Sequence, residues 1–459
     1  MFWKGSICGM IILSVSFPSN KLPSQSYRKY AFLSGMGYFL DGYNLTVVAV
    51  FTFILATYNI MQYTPLEMGF VSGSAFLGAM AGAIFLGRYS DLSGRRYIYI
   101  LYLAFFIIFP ILSSLSTSVI EVILFRFLLG IGIGADYAIG PVYSTEMYPD
   151  SKRGTGYGLV WAFWSLGAST AFLAGYLAFV YMGVESWRIA LGLSAVPAVG
   201  LMALRASIPE SVRWKSAAGR TSAGKDTGAG NTIKTASRTA FSSLFKGDYG
   251  KRTLIIWTQW ILLDIGSYGF ALYAPLIIGN FGFHGPETFI ITSALYAVGF
   301  TGAFVSMSWN DTLGRRPLQI FGFGFMALGM ALMAVAVDLK GLTMILTGVS
   351  GLLLWYGVEN IGPGNTVGLY AIELLPTRLR STSMGSATGI TRFVSFLSAF
   401  EFPYIAASIG YSGFLDILFF VMLGAFLFTI TFTPETRGLT LDEIEDAVYV
   451  RHSLVQKKN

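Results

Sequence analysis

Seven ionisable residues lie within long apolar stretches of this sequence. They are Asp41, Arg126, Asp136, Asp264, Glu359, Arg392 and Glu401. A charged group in such surroundings is costly and is retained mainly where it has a function. A buried carboxyl can bind and release a proton, and a guanidinium offers a planar fork of donors to a carboxylate or a phosphate. These residue types favour proton transfer and the binding of a polar or anionic solute, although packing or helix-end solvation also accounts for Glu359 and Glu401.

Three polar residues of one apolar stretch share a helical spacing. Trp260, Asp264 and Tyr268 recur at i, i+4 and i+8, so they share one face of a helix. Such a face is costly against lipid and suits the lining of a polar site. We expect it to contact a ligand.

A second stretch carries charges of both signs. Asp136 and Tyr137 follow Arg126 by ten and eleven residues, which is about three helical turns. Gly130 and Gly134 lie between them as part of a Gly-x-Gly pattern. Because no strand precedes this pattern, we exclude a dinucleotide-binding loop and expect the glycines to allow close helix packing.

The composition indicates that a membrane surrounds these stretches. Of 459 residues, 54% are hydrophobic and only 12% are charged, about half the charged share of a soluble domain. Disorder and a water-soluble globule are therefore excluded. The single cysteine, Cys8, excludes a disulfide framework and a cysteine-based metal cluster. The sequence has no motif for an enzyme or for nucleotide binding, so we expect no catalytic activity, no metal and no cofactor.

Twelve stretches are long enough to cross a bilayer as helices, which takes about 20 apolar residues each. The predicted spans 1 to 12 are 30–57, 65–87, 97–116, 119–143, 155–180, 186–207, 253–279, 287–309, 317–337, 341–363, 383–407 and 413–433.

The loops predict the orientation. Loops that follow odd-numbered spans contain almost no Lys or Arg, apart from Arg188 and Lys340, whereas those that follow even-numbered spans are basic. By the positive-inside rule, both termini are expected to be cytoplasmic in a multi-pass protein of the cell membrane. This asymmetry also accounts for the net charge of +7, so we do not expect nucleic acid as a partner.

Two motifs occur twice. Asp91–Arg96 follows span 2, and a similar Asp311–Arg316 follows span 8, displaced by 220 residues. Glu146 with Arg153 follows span 4, and Glu373 with Arg380 follows span 10, displaced by 227 residues. The shared displacement predicts two parallel halves of six helices each.

The repeated motifs predict a gate. The alternative interpretation, a basic anchor with a tight turn, becomes weaker because the motifs recur at matching places. We expect their charges to hold the two halves together in one state and to separate in another. The expected gating residues are Gly87, Asp91, Gly94, Arg95, Arg96, Glu146 and Arg153 in the first half, and Asp311, Gly314, Arg315, Arg316, Glu373 and Arg380 in the second.

After about residue 28 the sequence resembles the major facilitator superfamily. The resemblance rests on the stretches 87–96, 311–317, 209–214, 434–438 and 441–443. The last three are similar to the sugar-porter and phosphate-symporter branches. The resemblance to the superfamily implies an all-α membrane protein with twelve transmembrane helices in two pseudo-symmetric six-helix bundles. The expected domains are an N-terminal segment (1–28), the two bundles (29–208 and 251–435), a linker (209–250) and a cytoplasmic tail (436–459).

Asp41, Asp136, Tyr137 and the Trp260–Asp264–Tyr268 face resemble the phosphate:proton symporter branch in particular. This resemblance implies that Asp41 and Asp136 belong to a proton pathway. It also implies that Tyr137, Trp260, Asp264 and Tyr268 line the substrate site.

The sequence departs from that branch at three places. Trp164 stands where the branch has Gln, Arg392 stands where it has Lys, and either Asn360 or Asn365 replaces its span-10 Asn. Trp164 removes an amide and makes the site more aromatic. The departures leave room for an organic anion or a sugar in place of phosphate.

These features together predict a secondary active transporter that works by alternating access. We expect proton-coupled symport of an anion, either phosphate or an organic carboxylate, with Arg126 attracting Asp41 or Asp136 until one is protonated. A proton-coupled or facilitative sugar transporter is the alternative, and a channel is a third possibility. The expected partners are a small solute, protons and the lipid bilayer, and the expected state is a monomer.

Overall fold

The structure is a computed structural model that describes residues 24–93, 95–147, 153–206, 241–375 and 379–438. All the regular elements in these ranges are helices. The predictions for residues 1–23, for most of the linker (207–240) and for the end of the tail (439–459) lie outside them.

The described helices account for twelve spans. Nine helices in the described ranges are long and apolar enough to cross a membrane. Two of them, Gly158–Arg205 and Thr382–Phe432, contain 48 and 51 residues, or roughly 75 Å of helix against a hydrocarbon core of about 30 Å. Each therefore crosses twice. With Val119–Met147, which also carries buried charges, the predicted twelve spans are confirmed.

The bounds of the spans follow the prediction closely. They are Ser24–Thr46 with Val48–Tyr58 (span 1), Pro65–Ser93 (2), Arg95–Ser114 (3), Val119–Met147 (4), Arg153–Met182 (5), Ser186–Gly192 with Ala195–Arg205 (6), Gly247–Ala271 with Ala274–Gly279 (7), Glu287–Thr312 (8), Arg315–Asp338 (9), Gly341–Ile361 with Pro363–Glu373 (10), and Arg380–Phe432 for spans 11 and 12. Gly410, with φ +76°, marks the turn between spans 11 and 12.

The two halves repeat the same packing. Span 1 packs on span 5 and span 2 on span 4, as span 7 packs on span 11 and span 8 on span 10. Between the halves, span 2 meets span 11 and span 5 meets span 8. The predicted pseudo-symmetric pair of six-helix bundles is confirmed.

Glycine allows the close approach of spans 2 and 4. A Cβ on Gly130 would lie 2.1 Å from the carbonyl oxygen of Ala75, and one on Gly78 would lie 1.9 Å from that of Phe127. Any side chain at either position would push the helices apart. The glycines of span 4 thus act in packing, as expected.

Span 6 is interrupted at Leu193–Ser194, and spans 1, 7 and 10 are interrupted part-way across as well. The interruptions of spans 1, 7 and 10 fall at Val47, at Leu272–Tyr273 and at Gly362. The first two lie about one repeat apart, shortly after Asp41 and Asp264 in their spans. Broken helices are tolerated at membrane depth where they line a cavity or a site. Charged side chains and helix breaks therefore meet in the same layer of the protein.

Candidate functional site

Two carboxyls from different spans of the first half meet in the interior. Asp41 and Asp136 are fully buried, and their carboxyls are in hydrogen-bond range of each other. Oδ1 of Asp136 accepts a hydrogen bond from the Tyr102 hydroxyl at 2.5 Å. No donor among the described residues reaches either oxygen of Asp41. We refer to Asp41 and Asp136 as the carboxyl pair.

Arg205, at the end of span 6, is the cation beside the carboxyl pair. It is completely buried and interacts electrostatically with both carboxyls. It donates to the Tyr102 hydroxyl and to the Leu33 carbonyl at 2.8 Å. Its guanidinium lies 3.7 Å from the centre of the Tyr99 ring. Sequence reasoning missed Arg205 because it stands near the basic end of its span, where an ordinary topological charge is expected.

Arg126 does not take the partner that we expected. Its Nη2 donates to the backbone carbonyl of Asn44 at 3.2 Å, and neither Nε nor Nη1 has an acceptor within the described ranges. Along span 4 it lies ten residues from Asp136, or about 15 Å. The predicted attraction between Arg126 and the carboxyl pair is absent in this conformation, and Arg205 stands in its place.

In the second half, a buried ion pair joins spans 7 and 11. Nη2 of Arg392 lies 2.9 Å from Oδ2 of Asp264, and the Ser395 hydroxyl donates to the same oxygen at 2.9 Å. Trp260 also hydrogen-bonds the Asp264 side chain. The charge of Asp264 is therefore balanced and its acceptors are occupied.

The guanidinium of Arg392 lies where the two halves meet. It is 4.9 Å from the ring centres of both Tyr137, in the first half, and Tyr268, in the second. Tyr137 in turn packs against Tyr38 at 5.3 Å. Because Tyr137 follows Asp136 directly in span 4, one helical turn carries both a member of the carboxyl pair and a neighbour of Arg392.

The remaining predicted substrate residues lie beside this junction. Trp164, from span 5, has its ring centre 6.4 Å from that of Tyr268. Asn360 accepts a hydrogen bond from Ser165 at 2.9 Å, which links the two halves. Asn365 instead donates to the backbone of Asn360, so it fastens the break in span 10. Of the two, only the Asn360 side chain is shown to contact the first half.

The loops that follow even-numbered spans define what we call the basic face of the protein. On this face, Nη2 of Arg315 lies 3.0 Å from Glu373 and 3.5 Å from Asp311. The carboxylate of Glu435 accepts the backbone N–H groups of Arg315 and Arg316, both at 3.1 Å. A carboxylate at a helix N-terminus is favourable, so Glu435 anchors the start of span 9. Sequence reasoning missed this role because Glu435 lies in a charged segment after the last span.

The described part of the gate lies within the second half. Gly314, with φ +104°, turns the chain before span 9, and Arg316 donates to the Ile430 carbonyl at 2.7 Å. The predicted contacts across the two halves depend on residues whose surroundings the structure does not describe, namely Gly87, Asp91, Gly94, Arg95, Arg96, Glu146, Arg153 and Arg380.

Comparisons with known proteins agree with this architecture. The family model described as "Sugar (and other) transporter" matches residues 30–448. The inner membrane metabolite transport protein YgcS of Escherichia coli (strain K12) is 29% identical over 410 residues, covering 87% of this chain and 90% of that protein. "Probable inorganic phosphate transporter 1-6" of Arabidopsis thaliana is 27% identical over 481 residues, covering 90% and 92%.

A solved structure has the same fold. The proton:xylose symporter XylE, bound to 6-bromo-6-deoxy-D-glucose, matches with a TM-score of 0.76 at 20% identity over 93% of this chain and 100% of that chain. The fold is therefore that of the major facilitator superfamily. The chain belongs to the sugar (and other) transporter family, whose members transport small molecules across membranes.

Proposed function

We propose that this protein is a proton-coupled symporter that moves a small polar solute by alternating access. The observation that carries the proposal is that Asp41 and Asp136 lie in hydrogen-bond range of each other beside the guanidinium of Arg205. Arg392, which also lies in electrostatic range of Asp41, already pairs with Asp264. By the positive-inside rule we assign the basic face to the cytoplasm of a cell, with both termini on that side, and we propose a monomer in the cell membrane.

The carboxyl pair supports proton coupling because two touching carboxyls repel each other unless a proton lies between them. Arg205 balances one negative charge, so one bound proton makes the cluster neutral. A neutral cluster can remain closed off from water, whereas an excess charge in low dielectric draws in water or a counter-ion. Binding and release of one proton would thus decide whether the layer of the helix breaks can be closed off from water.

The charges around Arg392 support an anionic solute. Its guanidinium lies between rings from both halves, and a planar fork suits a carboxylate or a phosphate. Since Asp264 already balances Arg392, an anion would bind together with a proton on Asp264 or would displace that carboxylate.

A sugar is the second candidate. It is favoured by the balanced charge of the Asp264–Arg392 pair, by the aromatic surfaces of Trp260 and Tyr268, and by the amide of Asn360. A neutral, hydroxyl-rich solute needs no change in that ion pair. The matched family is described as a family of sugar and other transporters, and the matched structure is of a xylose symporter.

Alternating access is supported by contacts between the two halves on the face opposite the basic one. There Phe53 of span 1 packs against Phe289 of span 8 at 5.0 Å. Ser169 and Ser293 exchange hydrogen bonds between spans 5 and 8 at 2.9 and 2.8 Å. These contacts join the two halves and would separate as the halves rock around the central layer.

The test begins with a thermal-shift screen of the purified protein against phosphate, sulfate, sugars and carboxylates, because a ligand of the native state raises the melting temperature. Uptake of each hit into proteoliposomes is then measured with and without an inward proton gradient. We expect gradient-driven accumulation in the wild type and its loss in Asp41→Asn. Accumulation that does not depend on the proton gradient would refute proton coupling. The absence of trans-stimulation by unlabelled solute would favour a channel.

A further inference from the structure

One mostly buried acid has no cation beside it within the described ranges. The Oε1 atom of Glu359, in span 10, accepts a hydrogen bond from the Ser267 hydroxyl at 2.5 Å. Within the described ranges, Glu359 forms no ion pair with Lys, Arg or His. The other buried acids differ, since Asp264 has Arg392 and the carboxyl pair has Arg205.

Glu359 is also less enclosed than Asp41, Asp136 and Asp264. Its side chain is partly exposed, although it lies in the layer of the helix breaks, two residues before the end of the first segment of span 10. Its Oε2 atom accepts no hydrogen bond from the described residues and is not fully enclosed. One carboxylate oxygen of Glu359 is therefore partly accessible at this depth.

A group of aromatic rings from both halves extends from this position. Tyr296 and Tyr356 lie in electrostatic range of Glu359, and their ring centres are 4.7 Å apart. Trp164, from the first half, lies 6.1 Å from Tyr296 and 6.4 Å from Tyr268. We refer to these four rings, from spans 5, 7, 8 and 10, as the aromatic cluster.

We propose that Glu359 and the aromatic cluster form a subsite for an ammonium group, so that the transported solute carries a positive charge. A buried carboxylate is stabilised by a counter-charge, and aromatic faces attract a desolvated cation, most strongly the face of Trp. A sugar hydroxyl can donate to a carboxylate but supplies no counter-charge. The inference rests on the proposed function, because it assigns the solute of that same central site.

The position of Arg392 defines the solute further. Ser267 follows Asp264 by three residues in span 7, so the Glu359 contact and the Asp264–Arg392 pair lie on neighbouring positions of one helix face. A solute with an ammonium group at Glu359 can therefore extend an anionic group toward Arg392. A zwitterion satisfies both positions.

The test compares charged probes with an uncharged isostere on the purified full-length protein. Choline and glycine betaine carry a trimethylammonium group, and 3,3-dimethylbutan-1-ol has the shape of choline without the charge. Binding is followed by thermal shift and by tryptophan fluorescence. We expect a charged probe to bind the wild type and the isostere to bind at least tenfold more weakly. Binding of the isostere as strong as that of choline, or no response to either charged probe, overturns the inference.

Two pairs of variants check the residues. Glu359→Gln keeps the size of the side chain, and we expect it to weaken binding of the charged probe at least tenfold. Glu401→Gln, at an exposed position of span 11, should bind as the wild type does. Tyr296→Leu should weaken binding and Tyr296→Phe should preserve it. Unchanged binding in Glu359→Gln and Tyr296→Leu overturns the inference.

The inference and the proposed function fail in different ways. If uncharged sugars accumulate with the proton gradient while choline and betaine do not bind, the ammonium subsite is wrong and the proposed function stands. If a charged probe binds through Glu359 but its uptake ignores the gradient, proton coupling is wrong and the subsite stands.

Discussion

The two halves of the molecule place a buried acid at equivalent positions and surround it differently. Asp41 and Asp264 are 223 residues apart, which matches the displacement of the repeated motifs. Asp264 has a guanidinium at 2.9 Å and a serine hydroxyl at the same distance. Asp41 faces a second carboxyl, and no described donor reaches it. The repeat thus supplies one scaffold, and the neighbours decide whether its acid is balanced by a cation or faces another acid.

Breaking the balanced pair should have the largest effect on stability. Arg392→Met leaves Asp264 buried without its partner, which costs about 3–5 kcal/mol. We expect a large fall in the melting temperature of the purified protein. The double variant Arg392→Met/Asp264→Leu should recover much of that loss, because it removes both charges. A single variant as stable as the wild type would show that the pair carries no such energy.

The carboxyl pair should control accumulation instead. One co-transported proton allows about tenfold accumulation per unit of pH difference, equivalent to about 1.4 kcal/mol. Asp41→Asn should abolish this gradient-driven accumulation of solute. The exchange of labelled for unlabelled solute (counterflow) should continue. Asp41→Asn/Asp136→Asn should be no worse than Asp41→Asn alone, since the two residues share one proton. Additive losses in the double variant would argue for two separate proton sites.

Arg205 offers a further test of this comparison. When both carboxyls of the carboxyl pair are ionised, Arg205 leaves one negative charge unbalanced. Arg205→Gln removes the positive charge and three buried hydrogen bonds, each worth about 1.5–3 kcal/mol when a charged group is involved. We expect weakened accumulation and a lower melting temperature. Arg205→Lys keeps the charge but loses the planar fork, so its uptake should lie between that of Arg205→Gln and that of the wild type. Equal uptake by Lys and Gln variants would show that charge is not what Arg205 contributes.

Arg126 should have the smallest effect on stability, because it has no carboxylate partner among the described residues. Replacing a buried, incompletely paired charge with an apolar side chain is often neutral or stabilising. The free energy of unfolding of Arg126→Met should therefore lie within about 1 kcal/mol of the wild-type value, or above it. This contrasts with the large loss expected for Arg392→Met. A loss as large as that of Arg392→Met would mean that Arg126 is paired in the predominant conformation.

The sequence was informative where spacing alone decides position. The Trp260–Asp264–Tyr268 face predicted that these residues share a site, and the structure brings them to Arg392 and Tyr137. The repeated motifs predicted the two halves. Neither argument required knowledge of which helices are neighbours.

Partners across helices were harder to predict. The spacing along span 4 gives the depth of Arg126 but not which side chains of other spans lie at that depth, so its expected partners were wrong and Arg205 was overlooked. Glu435 anchors a helix 119 and 120 residues earlier in the chain, a contact that only the folded arrangement of spans 9 and 12 creates. Such contacts depend on tertiary packing.

Proton movement driven by solute tests the account most directly. Proteoliposomes containing the wild type and an internal pH-sensitive dye receive, without any imposed gradient, an inward gradient of a solute that the thermal-shift screen has identified. Symport predicts that the interior acidifies as the solute enters, and that Asp41→Asn shows solute entry without acidification. Solute entry into wild-type vesicles with no change in internal pH would contradict the assignment of a transported proton to Asp41 and Asp136.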